Sequence, residues 1–421
     1  MQNPTVPLLR VVEPITLYFR PGVNDHTTLL RALSAGPPRF GGAVLAAQLA
    51  SRHGDLRAEF RTRHLETILD PMAMELATEG GWDRDSLRRL PWAGRARHTP
   101  ETILPNEVGA IVDPIVEFMN QHDYTAALAP THYVTGFDDP WWPVDNSAVI
   151  HLRRMLDQSG RSSVPIYYRL AIHRRALLNP VQRARIISGL VDLPVDALWL
   201  CIHPVSAHSG AITLRSMLAI CHDLAGVGVP LVAERTGFLG HVLAGFNTVG
   251  GLESGISYGE SFDVNRLLKP PKTDDSKPSG FAPPPRVYLD RLGIFLSSAQ
   301  ARAFFAARGM KRRFACQDRP CCRTPDDMVD DPRRHLVYAR AQEVAKLSRV
   351  PAHDRPSICL DHIRSASDEA IHAAKIDSNL EKDRRRLADW RLALADVSSR
   401  EEFKGAAAAP QGKRINHRRS A

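Results

Sequence analysis

Residues 164–233 read VPIYYRLAIHRRALLNPVQRARIISGLVDLPVDALWLCIHPVSAHSGAITLRSMLAICHDLAGVGVPLVA. Three short apolar runs, at 164–170, 197–202 and 231–233, alternate with two segments whose apolar residues recur at helical spacing. The first helix opens on Asn179 with Pro180 behind it, a side-chain acceptor followed by a residue whose φ is already helical. Its expected buried stripe is Val181, Ile186, Ile187 and Leu190. The second, over 209–224, turns Ile212, Leu214, Leu218 and Ile220 inward. Strands this short joined by whole helices must run parallel, because antiparallel neighbours need only a tight turn.

The same unit extends toward the N-terminus. Residues 67–69 form a strand ending at Asp70-Pro71, and 106–121 a helix with Val108, Ile111, Val112, Ile115, Val116 and Met119 on one face. Residues 126–129 are a strand stopped by Pro130, and 146–156 a helix with Val149, Ile150 and Leu152 inward. At the margins the pattern loosens. Residues 16–19 form a first strand, 41–60 read as a helix broken near Gly54, and 248–259 hold a Gly-rich turn or a further short strand. Later come a strand at 287–289, a helix at 299–307, a last barrel strand at 313–316, and helices at 365–374 and 380–397.

This long alternation predicts an α/β fold, a (β/α)8-type barrel followed by a C-terminal helical extension that carries a candidate zinc site. A doubly wound open sheet is the alternative. Residues 1–64 are expected to complete the barrel and 65–310 to form its core, with a mobile loop at 269–285. Residues 311–405 form the Cys/His-containing extension and 406–421 a disordered basic tail.

Of the 421 residues, 43% are hydrophobic and 24% charged, which places the chain among ordinary globular proteins. The first residues lack a basic region followed by an apolar run, and no stretch approaches the ~20 apolar residues of a membrane span. A cytoplasmic location without a membrane partner is therefore expected. Six cysteines in so long a chain make no disulfide framework. The net charge of +9 gathers in Lys311 to Arg313, Arg333-Arg334, Lys382 to Arg386 and the tail. These basic C-terminal segments are candidate contacts for nucleic acid, or solvated faces.

In a barrel the site lies where the strands end and the βα loops converge. Polar residues at those ends are Asp70, His132, Arg169 with His173, His203 with His208, Glu234 with Arg235, and Asp290 with Arg291. Asp70, Glu234 and Asp290 are candidate catalytic carboxylates, Asp70 being alternatively a helix cap. His132, Arg169, His203, Arg235 and Arg291 are candidate substrate-binding groups. The run Gly250 to Glu260 lacks the Lys-Ser/Thr ending of a phosphate loop. A separate cluster, Cys316-Gln-Asp-Arg-Pro-Cys321-Cys322 followed by His335, supplies the three thiols and one imidazole of a closed structural zinc site.

A barrel followed by such a cluster and by terminal helices resembles the tRNA-guanine transglycosylase superfamily, which includes relatives that insert 7-deazaguanine bases into DNA. The likeness covers Arg286 to Ala374 in detail, where His335-Leu-Val-Tyr-Ala-Arg340 to His362-Ile-Arg364 looks like the helices after the family's zinc histidine. It implies structural zinc on Cys316, Cys321, Cys322 and His335, and base exchange through a carboxylate nucleophile such as Asp70. The chain departs from the family in its Cys-x4-Cys-Cys spacing, in Pro71-Met72 after Asp70, in lacking a Gln-Gly-Gly turn, and in offering no aspartate at Phe314-Ala315-Cys316. Two other readings stand beside base exchange. One is a catalytically silent barrel that binds nucleic acid or protein; the other is a metal-independent hydrolase or lyase.

Overall fold

The structure, a computed structural model, describes residues 14–36, 39–256, 260–269 and 286–399. Eight parallel strands close on themselves in chain order. They are β1 (Thr16–Arg20), β2 (Gly42–Ala46), β3 (Glu66–Asp70), β4 (Ala126–Leu128), β5 (Ile166–His173), β6 (Ala197–His203), β7 (Leu231–Glu234) and β8 (Gly251–Gly255). β8 returns to β1 over five residue pairs, Thr16 opposite Gly251 to Arg20 opposite Gly255, so no edge of the barrel is left open. The expected barrel is the observed one, and the open sheet is excluded.

Period two decides what each strand presents to the two sides. Leu17, Phe19, Leu45, Leu69, Leu170, Leu200 and Ala233 pack outward into the layer shared with the helices. Tyr18, Val44, Ile68, Leu128, Tyr167, Trp199 and Val232 form a separate apolar layer inside the barrel. Continuing two residues along the same inward rows places Arg20 after Tyr18, Asp70 after Ile68, Arg169 after Tyr167 and Glu234 after Val232. The interior therefore turns from apolar to charged toward the C-terminal ends.

The outer helices are α1 (His26–Ser34), α2 (Gly54–Thr62), α3 (Gly109–Gln121), α4 (Trp141–Gln158), α5 (Pro180–Val191), α6 (Ala211–Leu224) and α7 (Phe238–Gly245). After β8 the chain leaves the ring. It forms an antiparallel hairpin of β9 (Arg286–Leu289) and β10 (Ile294–Ser297), then α8 (Ser298–Ala306) and α9 (Met310–Phe314). α10 (Pro332–Arg349) then returns to pack against β1 and α1 as the eighth outer helix. Tyr338 on α10 donates its hydroxyl to the carbonyls of Ala32 at 3.3 Å and Gly36 at 3.1 Å, and the Ser348 hydroxyl donates to Ile15 O at 3.2 Å. α11 (Arg355–Ile376) and α12 (Glu381–Ser398) finish the described chain, with Trp390 stacked on Phe238 and its indole N–H donating to Ser209 O at 2.9 Å.

Several sequence expectations change. The helix read over 41–60 contains β2, because Gly-Ala-Val-Leu-Ala fits both periods. A strand wins since Gly42 runs so close to β3 that a Cβ there would lie 2.2 Å from Glu66 O. The last barrel strand is β8, in the Gly-rich stretch, whereas 313–316 lies at the end of α9. The strand at 287–289 belongs to the hairpin rather than the barrel. Ile150, Val181 and Ile212 point to solvent, and Ile187 is only half-buried. The loop at 269–285 falls almost wholly, and the tail at 406–421 wholly, outside the described residues.

Asn179 caps α5 as its sequence requires, its Oδ1 accepting from Val181 N at 2.9 Å and Gln182 N at 3.2 Å. Replacing it with Ala should lower unfolding free energy by about 1 kcal/mol, while Ser should restore most of that. Urea denaturation checks this, and an unchanged midpoint for Asn179→Ala would show that the cap contributes nothing.

Candidate active site and metal centre

Arg169 projects from β5 into the barrel, 3% exposed. Its Nε and one terminal nitrogen grip Glu234 on β7 at 2.9 and 2.5 Å. Its other terminal nitrogen stands 3.6 Å from Asp70 Oδ2 and 4.0 Å from Glu75 Oε1. Arg20 at the end of β1 makes a second hub. It donates to Asp70 Oδ2, to Glu253 Oε1 on β8 at 2.6 Å, and to Glu253 Oε2 at 3.2 Å. The Trp199 indole N–H also donates to Glu253 Oε2, at 2.8 Å. Strands β1, β3, β5, β7 and β8 are thus tied by one layer of charge.

Asp70, Glu234 and Glu75 do not share one state. Burial alone would raise Asp70, but the adjoining Arg20 and Arg169 hold it below the ordinary carboxylate range, helped by the N–H of Met72, which donates to Oδ1 at 2.8 Å. Glu234 is held low against its own burial by Arg169, Arg20 and Arg235. Glu75 moves the other way. Burial raises it, Arg169 offsets this only in part, and Asp70 adds to the rise. Its Oε2 is buried without a hydrogen-bond partner.

The sequence-predicted residues divide into two groups. Asp70, Arg169 and Glu234 meet in the charge layer. Arg235 flanks it, held at a left-handed φ of 53° with its Nε 3.5 Å from Glu234 Oε1. Asp70 does not cap a helix; its Oδ1 closes the turn that precedes a short helix, Ala73–Leu76. His132 is turned toward α4, with Nδ1 2.6 Å from Asp145 Oδ1 and its ring stacked on Trp141 at 3.6 Å. His203 sits under the segment that follows β8, its Nδ1 3.4 Å from Phe262 O. Met74, Ala171, Cys201, Phe262 and Val264 form an apolar layer over the charges.

Asp290 and Arg291 are not at the barrel mouth. They occupy the turn between β9 and β10 and line a cleft of about 470 Å³ beside Cys316 and His335. The physical reason is that Arg286–Leu289 pairs with Ile294–Ser297 and with no barrel strand. Three charge-layer residues escape the sequence reading, namely Arg20, Glu75 and Glu253. Arg20 and Glu253 carry a usable signal, a charge on the inward row of a short apolar strand.

The cysteine cluster assembles as its composition suggests. One ligand atom from each of Cys316, Cys321, Cys322 and His335 lies within 4.8 Å of all the others. Cys321 Sγ is 3.6 Å from Cys322 Sγ and 3.4 Å from His335 Nδ1, and Cys322 Sγ is 3.6 Å from the same nitrogen. A tetrahedral ion with bonds of about 2.3 Å to sulfur and 2.0–2.1 Å to nitrogen has ligand–ligand edges of about 3.8 Å for S–S and 3.5 Å for S–N. The residues fit such an ion. His335 Nε2 lies 2.9 Å from Tyr288 O, a carbonyl that accepts the Nε2 proton and leaves Nδ1 facing the thiols. The turn that splays the adjacent cysteines is held by Asp318 O, which accepts from Cys321 N at 3.1 Å and Cys322 N at 2.7 Å.

Much of the basic charge is paired within the chain. Arg313 meets Glu369, Arg333 lies 3.4 Å from Asp25, Arg385 is 2.9 Å from Glu381, and Arg386 is 3.0 Å from Asp383. Among the described residues, no helix is long and apolar enough to cross a membrane.

No protein-family model matches the chain, and no curated protein matches its sequence. Among solved structures it is similar to the Penicillium canescens endo-1,4-beta-xylanase XylE, with a TM-score of 0.35 and 10% identity, over 56% of this chain and 82% of that one.

Arg169→Met would leave Glu234 without its bidentate partner and should cost about 3–5 kcal/mol of stability. Because Asp70 and Glu234 are held low in the folded state, the stability they contribute is present above their unfolded pKa near 4 and is lost as pH falls through the depressed values. Urea unfolding of the wild type at a series of pH values below 5 should show that loss. Wild-type stability that stays level through this range would contradict the assigned ionisation.

Proposed function

We propose that the protein is a transglycosylase-like barrel enzyme that exchanges a base in nucleic acid, with Asp70 as the attacking carboxylate and structural zinc in the Cys/His cluster. The single observation that carries this reading is the state of Asp70. It stands at the end of β3 in a layer shielded from water, kept as a carboxylate by two guanidiniums while only 2% exposed. A carboxylate so placed is suited to attack the sugar carbon and release the base. Arg20, Arg169 and the Met72 N–H orient it. The apolar layer of Met74 and Phe262 closes over these charges and keeps water from them. Arg235, partly exposed at the rim, would meet a phosphate of the polymer.

Three thiolates and an imidazole favour zinc over harder ions. Bound zinc would act as a cross-link among the β9–β10 hairpin, the 316–322 turn and α10. Four protein ligands leave no open position for water.

The complete pairing of Glu234 and Glu253 favours a second reading, a barrel that binds nucleic acid without turnover. One experiment separates the two. Purified protein is incubated with radiolabelled guanine and either tRNA or duplex DNA, and label in the polymer is counted. The wild type should incorporate label, and Asp70→Asn should lose about a thousandfold or more of the rate. Metal analysis should find one zinc per chain in the wild type and in Asp70→Asn, and none in Cys322→Ser. Polymer binding without incorporation would support the silent barrel instead, and zinc-free wild-type protein would remove the metal assignment.

A further inference from the structure

We infer that Glu75 is the acid that protonates the departing base and, in the return half of the exchange, the base that takes the proton from its replacement. The inference rests on the base-exchange reading. Its grounds are geometric. Glu75 lies five residues beyond Asp70 on the same βα connection and is 4% exposed. One nitrogen of Arg169 lies near both carboxyl groups, 3.6 Å from Asp70 Oδ2 and 4.0 Å from Glu75 Oε1. Asp70, Glu234 and Glu253 each receive close hydrogen bonds on both oxygens. Glu75 Oε2 receives none, although it is buried. Among these four carboxyl groups it is the one with an oxygen free to hold a proton and to give it away.

The backbone around it is fixed rather than accommodating. Glu75 O accepts from the Thr78 hydroxyl at 2.9 Å, and Gly81 comes so near that a Cβ there would lie 2.0 Å from Glu75 O. The Trp92 indole N–H holds Pro71 O at 2.8 Å at the start of the same connection. The charges that face the Glu75 carboxyl are Arg169 from β5, Asp70 from β3, Arg235 after β7 and Arg20 from β1. Against these, burial keeps the carboxyl raised, so that Asp70 and Glu75 are pushed in opposite directions.

An Asp70 oxygen forms a bond to the sugar carbon while the bond from that carbon to the base nitrogen breaks. The electron pair goes to the departing base, and the Glu75 proton goes with it. The incoming base nitrogen then attacks the same carbon, its proton passes to the Glu75 carboxylate, and Asp70 leaves with its electron pair. No oxidant or other co-reactant is consumed.

The test has one arm that needs no substrate and one that does. Difference infrared spectra of wild type against Glu75→Gln, recorded near neutral pH, should show a carboxylic-acid C=O band that the variant lacks. The variant should also melt higher than the wild type above the unfolded carboxyl pKa of about 4 and equally below it, since a raised acid loses stability as pH rises through that range. This outcome shows in addition that the isosteric amide folds. In the guanine-exchange assay Glu75→Gln should fall about 10²–10⁴-fold and lose the alkaline limb of the pH profile. Absence of the band overturns the inference whatever the activity. Wild-type exchange with an unchanged rate and profile in Glu75→Gln overturns it while leaving Asp70 in place. A wild type that shows the band but exchanges no base overturns the base-exchange reading, and the proton-transfer role of Glu75 falls with it.

Discussion

Arg169 is a cation in the middle of a closed barrel, and the arrangement of the site depends on where that charge is spent. Buried ions are costly unless paired with good geometry. The fork of Arg169 is committed to Glu234, which leaves one nitrogen to be divided between Asp70 and Glu75. Arg20 repeats the pattern from the other side and is largely occupied by Glu253. The buried Arg169 and the largely buried Arg20 therefore face four enclosed carboxyl groups, with the partly exposed Arg235 at the margin. An acid with no close donor is the natural result of that imbalance, and Glu75 is that acid. A layer built only for stability gains more from apolar residues of similar volume than from such a set.

The barrel is legible because its central units obey both rules at once. Asn179-Pro180 starts α5, and the runs at 164–170 and 197–202 are too short to be helices. Legibility fails where two periods fit the same residues, as in β2, or where glycine masks a strand, as in β8. In β8 the glycines allow β1 and β7 to approach closely, a Cβ at Gly251 meeting Val232 at 3.0 Å and Thr16 O at 3.3 Å. That packing depends on neighbours far away in sequence, which local pattern does not contain. The same failure hides Glu253 inside a stretch read as a turn. Asp290 is misplaced for the converse reason, since a short apolar run looks alike in a hairpin and in a barrel. Glu75 gives no signal beyond being a lone charge among Met72, Ala73, Met74 and Leu76.

The cysteine cluster and the barrel mouth are joined by a continuous chain of bonds. His335 meets Tyr288 O, and the Tyr288 hydroxyl accepts from Arg340 at 2.7 Å. Arg340 reaches Glu260 at 2.6 Å, and Glu260 accepts from the Ser254 hydroxyl on β8 at 3.0 Å. Ser254 adjoins Glu253, one of the charges around Arg20. A metal bound at His335 would therefore also steady the segment that carries Phe262 over the mouth. Tyr288, Arg340 and Glu260 thereby brace the last strand of the barrel from outside.

The proposed base exchange requires Asp70 to form a bond to the sugar. Protein mixed with end-labelled tRNA or duplex DNA, without a free base, can be quenched in denaturant and resolved by gel, and the retained label mapped to a peptide by mass spectrometry. A covalent adduct on the peptide containing Asp70 is the expected result. An adduct on another carboxylate, or none with either polymer under conditions where both bind, would contradict it.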